Sequence, residues 1–441
     1  MRILLCGAHG FIGRHLCRTL LDSGHEVIRG VHRFSDDTSA QGRELLIDFT
    51  KDTSTTIWEK RLAALGKIDI IINAVGILTQ NKHTHFTALH RDAPIALFRA
   101  ACDAGVRGIL QISALGADDN ETQENSATPT ISSSYYMQSK READNYLSQL
   151  PCPHLILRPS LIVGFDGASS KLFRSLASLP IIALPGNGGQ QLQPVHIKDL
   201  CLSVIKWLTQ VSLGTVEQHQ IIRAVGPSAM SYRDMLVHYR QAMGLTPAKF
   251  IHIPMPLMRL SASLAVYLPQ KVFAPETLQM LEQGSVANSA AFTKLLDQEP
   301  KGANDWFDHQ EASAIAATAI TAWSTILFRL VLAFLWISTS IISVGFYPLE
   351  DSARLLAQVG ISAQYASPIL WLASGLDLIL GILSLTHPSR HLWIFQSILI
   401  LTYSAIISVC LPEFLMHPFA PILKNIPILA ILFVLIASDK K

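Results

Sequence analysis

A chain of 441 residues with 49% hydrophobic and only 15% charged side chains is too long for one folding unit of ordinary size and too poor in charge for a uniformly soluble protein. Its formal net charge of +2, with no Lys/Arg-rich stripe, excludes an electrostatic footprint for nucleic acid. Lys and Arg number 35 and Asp and Glu 33, yet only 11 of these lie from Ala314 onward, which implies a soluble front and a membrane-embedded back.

The apolar opening Ile3–Cys6 stops at Gly7, too short for a signal-peptide core of about 7–15 residues, and reads as a first strand. Short apolar runs then alternate with amphipathic segments. Strands are predicted at Ile3–Cys6, Val27–Val31, Leu45–Ile47, Ile68–Asn73, Ile109–Ser113 and His154–Leu157, with helices at Phe11–Asp22, His85–Ala104 and Tyr135–Leu150. Such alternation specifies an α/β fold with a parallel, doubly wound sheet over residues 1–210. The polar stretch Ala117–Ser134 is an expected exposed loop. Over residues 211–310, Pro254, Pro256, Pro269 and Pro275 cut the chain into short helices, expected to form a small accessory lobe.

Residues 315–441 hold four hydrophobic stretches, about Ile320–Val344, Pro368–Leu385, Leu392–Leu411 and Ile422–Ala437, expected to form a four-helix transmembrane bundle. The first three approach or reach the ~20 residues needed to cross a hydrocarbon core, and the last is short. Placing Arg390, Lys440 and Lys441 on the cytoplasmic side puts Glu350 and Asp351 outside, which keeps the front domain and the C-terminus cytoplasmic. Arg329 and Asp377 fall within spans, where a lone charge costs about 2.5–3.5 kcal/mol; antiparallel neighbours would let them form a structural ion pair, and the alternative is a polar point for a quinone-like head group or a proton path.

The six cysteines Cys6, Cys17, Cys102, Cys152, Cys201 and Cys410 show no Cys-x-x-Cys spacing and read as small buried hydrophobes. His83, His85, His90 and His196 do not fall at dependable ligand spacing, so no metal is expected.

Gly7-Ala8-His9-Gly10-Phe11-Ile12-Gly13 follows the first strand and opens the first helix. Gly7 permits the tight turn, Gly10 lets backbone approach a pyrophosphate, and Gly13 lets helix pack on strand. This is a dinucleotide-binding turn of Rossmann type, with Gly7, His9, Gly10, Phe11, Ile12 and Gly13 around the phosphates at a helix N-terminus. The second strand ends on His32 and Arg33 in place of a carboxylate, although Asp36 and Asp37 lie close by. A guanidinium suits a 2′-phosphate, so NADP is preferred and NAD is the alternative.

Tyr136-Met137-Gln138-Ser139-Lys140 puts a phenol and an ammonium four residues apart, on one face of a helix. The cation is expected to lower the phenol's pKa toward neutrality, making Tyr136 a general acid/base. Ser113, at the end of the fifth strand, is expected to hold a substrate oxygen.

The series Gly7–Gly13, Asn73-Ala74-Val75-Gly76, Ile112-Ser113-Ala114-Leu115-Gly116-Ala117, Tyr136/Lys140, Leu157-Arg158-Pro159-Ser160 and Gln193-Pro194-Val195-His196-Ile197-Lys198-Asp199 resembles the extended or atypical short-chain dehydrogenase/reductases. It is most similar to the branch containing the NAD(P)H-binding accessory subunit of respiratory complex I. The resemblance implies that Ala74, Val75 and Gly76 line the cofactor, that Asp48 and Phe49 flank the adenine, and that Pro159 lies near the nicotinamide. Some members of that branch hold NADPH without turning it over. Pro412-Glu413-Phe414 and the run His417 to Pro427 resemble DoxX-like membrane domains.

Together these readings imply a membrane-anchored NADPH-dependent oxidoreductase acting on a carbonyl or hydroxyl of a lipophilic, isoprenoid- or quinone-like substrate, with Ser113, Tyr136 and Lys140 as catalytic residues. Its partners are then that substrate, membrane lipids and a membrane complex. The alternative is a non-catalytic NADPH-binding scaffold of such a complex. A third reading gives the activity to the C-terminal bundle and leaves the front half to sense NADPH.

Overall fold

The computed structural model describes residues 1–34, 43–78, 80, 84–117, 134–265, 275–307, 312–418 and 420–438. Asp36, Asp37, His83, Pro269, Lys440, Lys441 and most of the expected polar loop lie outside the described residues.

The chain divides into two compact units, Met1–Ala317 and Thr318–Lys441. The first is built on a seven-stranded sheet, all of whose pairings are parallel. In chain order its strands are β1 (Arg2–Cys6), β2 (Glu26–Val31), β3 (Glu44–Leu46), β4 (Ile70–Asn73), β5 (Gly108–Ile112), β6 (His154–Pro159) and β7 (His219–Ala224). Their spatial order is 7-6-5-4-1-2-3. The sheet is buried on both faces, and β1 shows how. Ile3 and Leu5 point into one apolar cluster, whereas Leu4 and Cys6 point into the other. On the first face lie α1 (Phe11–Asp22), with Leu16 and Leu20 fully buried, and a helix at Ile197–Leu213. Each such leucine contributes about 1.5–3 kcal/mol relative to an exposed one. On the second face lie α2 (Thr55–Leu65), α3 (Ala93–Asp103) and α4 (Tyr135–Ser148).

All six expected strands and all three expected helices form. α2 and β7 were not predicted. α2 buries Trp58, Leu62 and Leu65, with Ile57 half-buried, among Thr, Glu, Lys, Arg and Ala, so its apolar stripe is faint in the sequence. The expected domain boundary near residue 210 is corrected by β7, which adds an edge strand along β6. Phe292, Leu295 and Leu296, from the helix at Ala290–Leu296, also enter the main core, so residues 211–310 are not a free-standing lobe. The proline-cut helices Met255–Ala265 and Pro275–Gln283 do form as expected. Two cysteines depart from the buried reading: Cys102 is half-buried and Cys410 exposed.

The second unit is helical. Ala312–Gly345, Ala363–Thr386 and Arg390–Cys410 are long and apolar enough to cross a membrane, and Asn425–Ser438 is a shorter apolar helix. At 1.5 Å per residue its 14 residues reach roughly 21 Å, short of a ~30 Å hydrocarbon core. All four contribute to one core containing Leu332, Trp336, Leu380, Trp393, Ile400 and Leu432. Outward-facing Phe334, Leu372, Val409 and Phe433 are 71–81% exposed, the inversion expected where the surrounding medium is lipid. Glu350 and Asp351 lie on a short helix, Leu349–Gln358, in place of a simple loop.

The expected Arg329–Asp377 pair does not form. Arg329 donates to the carbonyl oxygens of Ser384 and Leu385 at 3.1 and 2.6 Å, satisfying groups at the end of the second span. Those carbonyls lie seven and eight residues beyond Asp377, roughly 10 Å along the helix.

Candidate functional site

Strand order reverses between β1 and β4, and the crevice at their carboxyl ends is where ligands bind in open parallel sheets. The sequence puts the glycine turn there. Gly7 has φ +83°, and a Cβ on it would lie 2.9 Å from the carbonyl oxygen of Ala74. A Cβ on Gly13 would fall 2.0 Å from the carbonyl oxygen of Gly7, so any larger residue pushes α1 off β1. Gly10 caps α1 with no side-chain hydrogen bond, and the first helical bond runs from Arg14 N–H to the Gly10 carbonyl. The amides of Phe11, Ile12 and Gly13 therefore precede the helical ladder, at the positive end of the dipole. Bare backbone at the crevice and a helix N-terminus fit a dinucleotide pyrophosphate. The ring of Phe11 packs against Gly164 and Gly167 and buttresses the turn.

The segment after β4 is held from three sides. The Val75 amide donates to Asn73 Oδ1 at 3.1 Å, the Ile77 amide donates to His90 Nε2 at 3.0 Å, and Lys140 Nζ donates to the carbonyl oxygens of Val75 and Ile112 at 3.3 and 3.1 Å. A Cβ on Gly76 would sit 3.5 Å from Lys140 Nζ. Ala74, Val75, Gly76 and Lys140 thus belong to one neighbourhood, beside the glycine turn.

Tyr136 is 8% exposed. It packs edge-on against Phe86 and His90, with ring centroids 5.7 and 5.2 Å apart. His90 stands on a π-helical turn, Thr87–Asp92, leading into α3. Because its Nε2 accepts from Ile77, its Nδ1 carries the proton and donates to Ser139 Oγ at 3.2 Å. Burial, with the Lys140 charge adding, pushes its pKa down to about 2, so the ring stays neutral.

Two expectations are corrected here. Lys140 does not draw the phenol of Tyr136 toward neutrality: burial, with the Asp144 charge adding, pushes it up to about 12. Burial also takes Lys140 down to about 8, against the opposing pull of Asp144. Ser113 does not offer its hydroxyl to the crevice but donates it to Asp144 Oδ2 at 2.7 Å. Arg158 Nε reaches the same oxygen at 3.0 Å, in a pair that is 7% and 0% exposed. Asp144 lies four residues after Lys140 on α4, so Tyr136, Lys140 and Asp144 form one inward ladder.

The residues expected on the adenosine side follow β2 and β3. Arg33 and His32 are exposed. Asp48 accepts from the amide and hydroxyl of Thr50 and lies 3.9 Å from His32 Nδ1. Burial raises its pKa, but the hydrogen bonds from Thr50 and Lys51 and the His32 charge outweigh this and hold it below the usual carboxylate range. Phe49 turns into the core against Trp58, which leaves only its backbone for an adenine. Pro159 closes β6, its carbonyl accepting from Leu115 N–H at 2.9 Å.

Sequence reasoning passed over Glu44 and Asp144, read Arg158 only as part of the motif carrying the family resemblance, and weighed His90 only as a metal ligand. Glu44 lies 3.2 Å from Arg29 and 3.3 Å from His9 of the glycine turn. The i+4 spacing of Lys140 and Asp144 was a visible signal, whereas the β3-to-turn proximity of Glu44 was not.

Residues 3–221 match the NAD dependent epimerase/dehydratase family, and residues 333–433 match the DoxX-like family. A ceramide reductase of Caulobacter vibrioides is 26% identical over 256 residues, 58% of this chain and 74% of that protein. The mouse mitochondrial NADH dehydrogenase [ubiquinone] 1 alpha subcomplex subunit 9 is 24% identical over 260 residues, and the match spans 57% of this chain and 63% of that subunit. Among solved structures, the UDP-glucuronic acid 4-epimerase of Bacillus cereus in complex with NAD superposes with a TM-score of 0.50 at 18% identity, covering 74% of this chain and 98% of that one. The chain is a membrane protein that joins an epimerase/short-chain dehydrogenase-type NAD(P)-binding domain to a C-terminal DoxX-like domain.

Proposed function

We propose that the protein is a membrane-anchored, NADPH-dependent reductase of a carbonyl on a lipophilic substrate. The observation that carries this reading is the Tyr136–Lys140–Asp144 ladder, with Lys140 Nζ bridging the Val75 and Ile112 carbonyls beside the glycine turn. NADPH, when bound, supplies the hydride. The bare backbone at Gly7, Gly10 and Gly13 supports binding of the pyrophosphate, and the exposed cations His32 and Arg33 after β2 support a preference for a 2′-phosphate. Tyr136 Oη gives its proton to the substrate oxygen as negative charge develops there. Burial, which pushes the phenol up to about 12, keeps it protonated at neutral pH but makes it a weak acid, so the transfer relies on the negative charge that develops on the substrate oxygen. Lys140 supplies the neighbouring positive charge, and Phe86 and His90 keep water from the phenol.

The membrane unit and the likeness to a ceramide reductase support a substrate drawn from the bilayer: a ceramide-like lipid, an isoprenoid or a quinone-like compound. Four spans, with the front domain and C-terminus in the cytoplasm, complete the proposal; membrane lipids are its constant neighbours.

A second reading has its own observation. Ser113 is engaged by Asp144 and Tyr136 is deeply buried, as suits a domain that holds NADPH as a structural element of a membrane complex. Replacing Tyr136 with Phe separates the two. For a reductase, the variant in lipid nanodiscs keeps NADPH affinity within about twofold and loses turnover of a long-chain ketone by about 10²–10⁴. Wild-type protein that NADPH stabilises against heat, but that turns over no lipid carbonyl, favours the scaffold.

A further inference from the structure

The polar side chains inside the helical unit largely satisfy one another. Trp336 Nε1 donates to Gln396 Oε1 at 3.1 Å, and Gln396 Nε2 donates to Ser384 Oγ at 2.9 Å. Ser384 in turn bonds the Leu380 carbonyl, and Ser340 and Ser374 lie 3.0 Å apart. Asp377 is the exception. It lies within one turn of the middle of the helix Ala363–Thr386 and is 7% exposed, yet its Oδ1 has no hydrogen-bond partner among the described residues. The cation expected to match it, Arg329, is occupied at the helix end.

Ser374, Asp377, Gly381 and Ser384 recur at three- and four-residue spacing and so share one face. That face meets the first span closely, since a Cβ on Gly381 would lie 2.6 Å from Ile337 Cγ1. The carboxyl is therefore enclosed between helices and does not reach toward the membrane surface. It does not link the helices either, as no hydrogen bond of its Oδ1 ties it to a neighbour. A buried intramembrane carboxyl with an unpartnered oxygen is a functional-site candidate, where a guest can supply the missing partner.

We infer that Asp377 is the polar anchor of a binding site within the membrane unit for a lipophilic molecule whose head group donates a hydrogen bond, a hydroxyl or an amide N–H. Asp377 accepts from the head of such a molecule. This site stands independently of the chemistry at Tyr136.

Two measurements test it on the full chain in nanodiscs. In the first, 1-dodecanol and its donor-free analogue methyl undecyl ether are added, and infrared difference spectra are recorded across the carboxyl carbonyl and carboxylate stretching regions. The alcohol is expected to shift a carboxyl band, the ether to leave it in place, and Asp377→Asn to abolish the shift. An alcohol response that persists in Asp377→Asn, or no alcohol-specific response at all, overturns the inference. In the second, thermal melting of Asp377→Leu reads the competing structural role. A group kept for a guest can be replaced by an apolar one with the melting temperature unchanged or raised, whereas a fall of several degrees makes Asp377 a fold determinant and overturns the site.

Discussion

Of the buried aspartates, Asp144 in the first unit and Asp377 in the second show how differently each unit treats a carboxyl out of water. Asp144 is fully buried in the NAD(P)-binding unit, where its Oδ2 takes hydrogen bonds from Ser113 and Arg158 while its Oδ1, like that of Asp377, has none among the described residues. Asp377 is nearly as buried in the helical unit and has no such partner for Oδ1. The first is woven into the packing of α4 on β5 and β6; the second breaks the pattern of the polar pairs around it. A buried charge with its partners is costly to break, whereas one without them is a debit that function must explain.

The largest effect expected in testing this contrast is on stability. Asp144→Ala removes the carboxylate from the buried Arg158 guanidinium and the acceptor of Ser113, and is expected to destabilise the NAD(P)-binding unit by about 3–5 kcal/mol in chemical denaturation. Asp377→Leu is expected to have the opposite sign or none. Equal losses for both variants would erase the distinction.

Much of this was legible in the sequence, because the strongest signals are local. Glycines at 7, 10 and 13 encode a turn, and the two-residue alternation in β1 sends Leu5 and Leu4 to opposite faces. A four-residue step encodes a shared helix face for Tyr136 and Lys140. What stayed hidden depends on partners distant in the chain. That β7 would pair with β6, 65 residues away, has no local signature, and neither does the choice of Arg329 between Asp377 and two carbonyls. The role of Ser113 failed for the same reason: a serine at a strand end can face the crevice or the helix behind it, and Asp144 decides.

A medium-sized effect follows from the ladder itself. Lys140 is charged below about 8 and loses its proton above it, while Tyr136 keeps its own to about 12. Reduction that needs the Lys140 cation therefore runs level up to about pH 8 and falls about tenfold per unit beyond it. Asp144 holds the lysine's proton on, so Asp144→Asn is expected to move that limb to lower pH. A limb that stays in place in this variant would separate Asp144 from the chemistry and leave it a purely structural group. The pH profile of kcat/KM for a lipophilic ketone reads this directly.

The smallest effect concerns a charge that is neither buried nor paired in a core. Arg33 is exposed after β2, so its attraction for a 2′-phosphate acts through water and is worth about 1 kcal/mol, a factor of roughly five. Arg33→Ala is expected to reduce the preference for NADPH over NADH by that factor, measured as the ratio of two dissociation constants from nucleotide fluorescence, with no change in melting temperature. A solvated cation can be removed without disturbing the fold, and this separates Arg33 from both aspartates. Should NADH affinity fall together with NADPH affinity, Arg33 would be acting on a part the two nucleotides share, and selectivity would lie with His32.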